Sequence, residues 1–252
     1  MLSREEYTEY CRKYRVVWSY LKSCSRNQDQ VIREICALRE YDYERMGVIL
    51  KKADFIFPEN VEDKKLEKVG EELALLTKEG KFLLTGRYVF PVMDMLGNII
   101  ALIGWYPDEK KYVTTPSKMF SKDCLFFGME QLGTTGIGKT YYIVEGIFDS
   151  LTIRSMGFPC IAQMGINSSR YKEVLYTLFK KLIAVPDNDT QGSDVLRNDK
   201  WKIPHTGKYM RWKSTTYIKD IDKLCNMFEY EDVKNMLQGV IEEPKRIVEV
   251  II

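Results

Sequence analysis

The chain has 252 residues, of which 45% are apolar and 12% aromatic, with a formal net charge of +2. The apolar share excludes a disordered chain and allows one large domain or two. No run of about eighteen apolar residues is present, which excludes a hydropathy-defined membrane span, and the near-neutral charge excludes a globally basic nucleic-acid binder, so any such contact must be local.

The N-terminus, Met1-Leu2-Ser3-Arg4-Glu5-Glu6, lacks the apolar h-region of a secretory signal, so a cytoplasmic protein is expected. Glu5 to Lys22, Asp29 to Tyr43 and Leu66 to Leu76 carry apolar residues at three- and four-residue spacing among many charges, which predicts helices. Pro58 and Asn60 mark a turn between the second and the third.

Gly133-Thr134-Thr135-Gly136-Ile137-Gly138-Lys139-Thr140 fits the phosphate-loop pattern GxxxxGK[ST]. Such a loop must lead from a strand into a helix, so that its amides and the helix N-terminus face the phosphates. Here it leads into Tyr141-Tyr142-Ile143-Val144, aromatic and β-branched and therefore a strand, so a surface turn is expected.

That strand delivers Glu145, Gly146 and Asp149. A helix-like stretch from Phe148 to Met156 follows, then a turn at Gly157 and a strand at Pro159-Cys160-Ile161-Ala162. An amphipathic stretch runs from Arg170 to Lys181 with Val174, Leu175, Leu178 and Phe179 at helical intervals. Leu182-Ile183-Ala184-Val185 then delivers Asp187, Asp189 and Gly192. A lone DxD after a strand is usually a solvated turn, but this order is β-α-β-α-β with acids at both corresponding strand ends. An open parallel sheet binds ligands beyond the carboxyl ends of its strands, so EGxxD and DxDxxG converge on one crevice. Carboxylates that close repel and raise one another's pKa unless divalent cations neutralise them. The pair predicts a magnesium-type site for phosphoryl or nucleotidyl chemistry.

Between Arg197 and Lys219 stand seven basic residues (Arg197, Lys200, Lys202, Lys208, Arg211, Lys213, Lys219) and one acid, Asp199, interleaved with Trp201, Tyr209, Trp212 and Tyr217. Two readings stand side by side. Either the stretch lines a single-strand groove, with bases stacked on Trp212 at roughly 1–3 kcal/mol each and Lys213 on the backbone, or its aromatics face a core and its lysines are solvated. Lys110, Lys111, Lys118 and Lys122 form a second basic cluster, diluted by Asp108, Glu109 and Asp123. Asp220 opens a further DxD with Asp222 and is equally suited to cap a helix, and a last helix is expected from Tyr230 to Leu237. The six cysteines never form CxxC and His205 is the only histidine, so no zinc is expected and buried free thiols account for them.

At Glu145, Asp149, Asp187 and Asp189 the chain resembles the Toprim fold shared by DnaG-type primases, topoisomerases and some nucleases, whose glutamate and DxD acids hold catalytic metal. The resemblance to primases extends upstream. Arg87-Tyr88-Val89-Phe90-Pro91-Val92 with Asp94 and the run Gly97 to Gly104 is similar to the "RIMFPI…D..G.VIGFGGR" stretch of the primase core. Lys111-Tyr112-Val113-Thr114-Thr115-Pro116 is similar to its "PKYLNSP", and Phe120-Ser121-Lys122 with Leu125 to Gly128 to its "F.K...LYGL". Trp105 replaces the usual arginine and Lys110 the usual proline, and Ser193-Asp194-Val195 matches the family poorly.

The resemblance implies an α/β fold: a helical and mixed α+β subdomain over residues 1–139, then a Toprim subdomain over 140–252 with a largely parallel central sheet and a helical tail. It implies template-directed synthesis of short RNA primers on single-stranded DNA by a DNA-directed RNA polymerase, a nucleotidyltransferase of DNA replication. Mg2+ or Mn2+, as two ions, would be held by Glu145, Asp187, Asp189 and Asp220, with Asp149 among the catalytic acids. Arg87, Lys111 and Lys122 would contact template or triphosphate. The implied partners are single-stranded DNA, ribonucleoside triphosphates and a replicative helicase, in a minimal primase of the kind phages encode. The alternatives are a Toprim nuclease using the same acids, or a binding module of a replication complex.

Overall fold

The computed structural model describes residues 3–108, 111–115, 124–136, 138–164, 169–213 and 218–251, without the side chains of residues 63, 65 and 111. It divides into two compact units, residues 1–122 and 123–252. Among the described residues no helix is long and apolar enough to cross a membrane.

In the first unit, α1 (Arg4–Ser23) begins at a capping box in which Glu6 N–H donates to Ser3 Oγ and Ser3 N–H donates to Glu6 Oε2. The helix expected from Asp29 to Tyr43 is instead two, α2 (Gln28–Arg39) and α3 (Tyr43–Lys52). Glu40 takes a left-handed φ of 60° and ends the first, while Asp42 Oδ1 accepts the Glu44 N–H at 2.8 Å and starts the second. The fourth helix, α4 (Asp63–Glu72), stops short of Leu76 because Ala74 is left-handed, with φ 55°.

Three antiparallel strands follow: β1 (Tyr88–Met93), β2 (Ile99–Tyr106) and β3 (Lys111–Thr114), in the order β1-β2-β3. Asp94 builds the β1–β2 hairpin by accepting the N–H groups of Leu96 and Asn98, each at 2.8 Å, while Gly97 supplies the left-handed residue at φ 78°. Tyr10, Tyr14, Val17 and Leu21 of α1 pack with Leu84, Val89 and Leu102 into one core, so the helix is held by its apolar stripe. Trp105 pairs with Tyr88 across the strands and is buried against its ring at 5.7 Å, so this departure from the primase pattern is an element of packing.

The second unit begins with α5 (Gln131–Thr135) and continues β4 (Thr140–Val144), α6 (Ile147–Ser155), β5 (Cys160–Ala162), α7 (Arg170–Tyr176), β6 (Lys181–Val185), α8 (Thr190–Asn198), β7 (Lys208–Lys213), α9 (Ile221–Met227), α10 (Tyr230–Glu242) and β8 (Ile247–Ile251). All five strands run parallel, in the order β5-β4-β6-β7-β8. Strands β4 and β6 are central and buried, which explains their unbroken apolar runs. Helix α7 ends at Tyr176, shorter than its apolar spacing suggested; residues 177–180 form the connection to β6, to which Lys181 already belongs. Helix α10 runs past Leu237 to Glu242, and the Tyr142 hydroxyl donates to the Leu237 carbonyl at 2.5 Å, tying that helix to the central strand. The phosphate-loop lookalike runs from helix α5 into strand β4 with Gly138 and Lys139 exposed, the reverse of a nucleotide loop.

None of the six cysteines is paired; Cys11, Cys36 and Cys160 are buried, and Cys24, Cys124 and Cys225 are half-buried.

Candidate active site

Strand β4 leads to β5 on one side and β6 leads to β7 and β8 on the other, so the chain reverses direction across the sheet between β4 and β6. In open α/β sheets the ligand crevice lies at this switch point, beyond the carboxyl ends of the strands. Val144 and Val185 are register partners at those ends, so the residues after them, Glu145 and then Asp187, emerge side by side. The Asp187 N–H donates to Glu145 Oε1 at 3.4 Å.

Two glycines allow this arrangement by close approach. A Cβ on Gly192 would lie 1.7 Å from the Asp187 carbonyl oxygen, so only glycine lets α8 begin directly over the acidic loop. A Cβ on Gly146 would lie 2.6 Å from Asp149 Oδ2, so glycine lets the first turn of α6 bring Asp149 back beside the strand end. The EG of EGxxD and the G of DxDxxG are therefore steric requirements of the two acidic corners.

Asp189 caps α8, its Oδ1 accepting the Gly192 N–H at 2.8 Å, and Asp220 caps α9, its Oδ1 accepting the Lys223 N–H at 2.8 Å. Each cap fixes a carboxylate through one oxygen and leaves Oδ2 for a ligand. Asp149 is buried, at 9% exposure, and Asp222 N–H donates to its Oδ1 at 3.4 Å; Asp222 is buried as well and accepts the Thr152 hydroxyl at 3.1 Å. The segment carrying Asp220 is tied to the acidic loop, since Asn188 N–H donates to the Lys219 carbonyl at 2.5 Å and Asn188 Nδ2 to the Ile218 carbonyl at 2.8 Å.

The electrostatics follow from burial. Removal from water, then the neighbouring Asp187 charge, pushes the Glu145 carboxyl up to about 7. Removal from water pushes Asp187 up to about 6 even though Lys219 draws it down, its Nζ lying 3.5 Å from Asp187 Oδ2. Asp149 is driven well above the carboxylate range by burial and by the charges of Asp220, Asp187 and Asp222. Burial would lower the Lys219 pKa, but Asp187 and Asp220 outweigh it and raise it.

Among the described residues no three His, Cys, Asp or Glu side chains are gathered closely enough to hold an ion unaided. The acids sense one another's charge without closing on one point, as uncompensated like charges do. Their type nonetheless fits a hard divalent cation, which takes carboxylate oxygens, and burial, the main cause of the raised proton affinities of Glu145 and Asp187, leaves little water to compensate their charge when ionised.

The structure thus brings together Glu145, Asp149, Asp187, Asp189 and Asp220, and adds Asp222 and Lys219. Asp222 was visible only as the end of a DxD. Lys219 was visible only as one lysine of a basic stretch, and the cue to its place was its position directly before that DxD.

The remaining candidates fare differently. Arg87 lies in the first unit, where its Nη1 is buried without a hydrogen-bond partner among the described residues and its guanidinium lies 5.5 Å from the Tyr106 ring. Gly104 makes room for it, since a Cβ there would lie 2.8 Å from Arg87 Cδ. Lys111 is the first residue of β3, its side chain not described, and Lys122 lies outside the described residues.

Trp212 corrects the groove expectation. It is 8% exposed and its indole N–H donates to the Pro186 carbonyl at 2.8 Å, so its faces serve packing and are not offered to a base. Tyr209, on β7, and Trp201, in the segment before it, are buried as well; β7 lies between β6 and β8, and the burial of consecutive Tyr209 and Met210 shows that both of its faces are covered there. Lys213 is exposed but paired with Glu249 at 3.1 Å.

Residues 142–225 match the Toprim-like family. The DNA primase of Clostridium acetobutylicum is 30% identical over 111 residues, covering 42% of this chain and 19% of that protein. The DNA primase of Deinococcus radiodurans is 32% identical over 85 residues, covering 32% of this chain and 15% of that protein. The chain thus spans less than a fifth of the length of these relatives. In structure, a DnaG primase catalytic domain bound to single-stranded DNA superposes with a TM-score of 0.74 at 15% identity, covering 94% of this chain and 80% of that one.

Proposed function

We propose that this chain, which carries a Toprim domain on the fold of the DnaG-type primase catalytic core, joins ribonucleoside triphosphates on a single-stranded DNA template to make short RNA primers. The observation that carries the reading is the pair Glu145 and Asp187, set side by side at the switch point with Asp149, Asp189 and Asp220 around them. A site with six carboxyl groups, Asp222 among them, and one lysine is suited to a phosphoryl centre.

Glu145, Asp187, Asp189 and Asp220 are the residues that would hold Mg2+ or Mn2+. Held by these residues, such ions would supply activation of an attacking 3′-hydroxyl and neutralisation of charge on the leaving pyrophosphate. The protein's part is to orient. The helix caps fix Asp189 and Asp220 through Oδ1. Buried Asp149 and Asp222 tie α6 to the start of α9, the Asp222 N–H donating to Asp149 Oδ1, while Asn188 holds the acidic loop against the segment that carries Asp220. Lys219 keeps one positive charge beside Asp187, which limits the repulsion that would otherwise open the cluster. In the first unit Arg87 is the guanidinium that would donate hydrogen bonds to a phosphate of template or triphosphate. On this reading the chain works in the cytoplasm and a replicative helicase is its candidate protein partner.

The test is incubation with single-stranded DNA, labelled ribonucleotides and Mg2+ or Mn2+. Labelled oligoribonucleotides complementary to the template support the reading, whereas shortening of end-labelled DNA without synthesis assigns the same acids to a nuclease.

A further inference from the structure

Helix α8 and strand β7 enclose a cleft of about 290 Å3 that opens beside Asp187 on the side of β6 away from Glu145. Its walls include Asn188, Ser193, Arg197, Arg211 and Trp212. Ser193, with Leu196 and Arg197, lies on one face of α8 by helical spacing, and Arg211 comes from the opposite wall on β7.

The charge balance of this cleft is positive. Glu249 is shared between Arg211, at 3.6 Å, and Lys213, at 3.1 Å, so one carboxylate serves two cations. Arg197 is exposed and has no ion pair among the described residues. The acid in the cleft, Asp187, already faces the Lys219 ammonium. The Trp212 indole N–H and the Asn188 amide are committed to the Pro186 and Ile218 carbonyls, so the donors left for a ligand are the two guanidinium groups and the Ser193 hydroxyl. Guanidinium forks match phosphate oxygens two at a time. The volume is at the small end of the roughly 300–1,000 Å3 that encloses a drug-sized ligand, which suits a phosphate chain and not a whole nucleotide.

We propose that this cleft is a subsite for the phosphate chain of a nucleoside triphosphate, gripped by Arg197 and Arg211 and led to the acids through Asp187. The assignment rests on the polymerase reading for its substrate. A phosphate of a nucleic-acid strand offers the same chemistry, and the experiment separates the two sources.

Inorganic tripolyphosphate, which has no base or sugar, is titrated calorimetrically against the full chain in Mg2+, with a single-stranded oligonucleotide titrated in parallel. Arg197→Gln and Arg211→Gln should each weaken tripolyphosphate binding about tenfold, and the double variant more. Oligonucleotide affinity and melting temperature should stay at wild-type values. Arg197→Gln is the cleaner arm, since it breaks no ion pair. Unchanged tripolyphosphate affinity in the double variant, or no measurable binding by the wild type, overturns the subsite. Loss of oligonucleotide affinity alone also overturns it and gives the arginines to the strand. Primer synthesis by the wild type is scored separately: arginine-dependent tripolyphosphate binding without synthesis sinks the polymerase reading and keeps the cleft, and synthesis with arginine-independent binding does the reverse.

Discussion

The backbone N–H of Asp187 donates to Glu145 Oε1 at 3.4 Å, across the seam where two neighbouring parallel strands end together. A residue far along the chain is thereby locked to the end of a strand that precedes it by two helices. The contact also brings two carboxyls together in a half-buried place, and their proton affinities record the cost.

The metal-free protein should lose stability as pH rises from about 4.5 to about 7. Glu145, pushed up to about 7, and Asp187, pushed up to about 6, bind protons more tightly folded than unfolded. Over that window the folded state therefore holds more protons, and unfolding becomes easier with each step upward. Glu145→Gln should flatten the dependence and raise stability near neutrality by roughly 1–3 kcal/mol. Thermal melts from acid to neutral pH in chelator check it; a melting temperature that climbs through this window contradicts the assignment.

Added Mg2+ should reverse that loss. Carboxylates that repel when bare become ligands when neutralised, so the melting temperature should rise with Mg2+ at neutral pH and respond less near pH 4.5, where Glu145 and Asp187 are protonated. Equal stabilisation at both pH values would point to an ion bound elsewhere.

Gly192→Ala should cost more than Gly146→Ala. The first places a Cβ 1.7 Å from a backbone carbonyl and the second 2.6 Å from the movable side chain of Asp149. About 1–3 kcal/mol of overpacking is expected at Gly192, with displacement of the DxD loop. At Gly146 the expected effect falls on synthesis more than on folding. Denaturant melts and primer assays on the two variants distinguish them.

Trp212→Ala should destabilise the fold by about 3–5 kcal/mol through a cavity, because the ring is buried and its N–H is used. DNA affinity per folded molecule should not change. A stable variant with weakened DNA binding would restore the stacking role.

How far these features could be read from the residues depends on what each one rests on. Strands β4 and β6 were legible because both are buried on two faces, so their apolar runs are unbroken, and the acids after them follow from the parallel topology. The break between α2 and α3 was hidden because a glutamate, Glu40, adopts the left-handed conformation that glycine usually signals. The fate of Trp212 was evenly balanced, since a strand with alternating basic and aromatic residues suits a groove or a core until its neighbours are known. Strand β8, beyond the last expected helix, supplies that neighbour and makes β7 interior. The approach of Lys219 to Asp187 had no local signature, because it depends on the segment after β7 returning to the acidic loop.

The most direct measurement is template-dependent ribonucleotide incorporation by Glu145→Gln, Asp187→Asn and Asp189→Asn proteins, each shown by melting to be folded at least as stably as the wild type. If these acids form the catalytic centre, each variant loses synthesis by about a hundredfold or more, the scale on which one electrostatic group at a reacting centre acts. Near-normal incorporation by a folded Asp187→Asn protein would contradict the account, because that residue joins the strand-end pair, the lysine contact and the phosphate cleft.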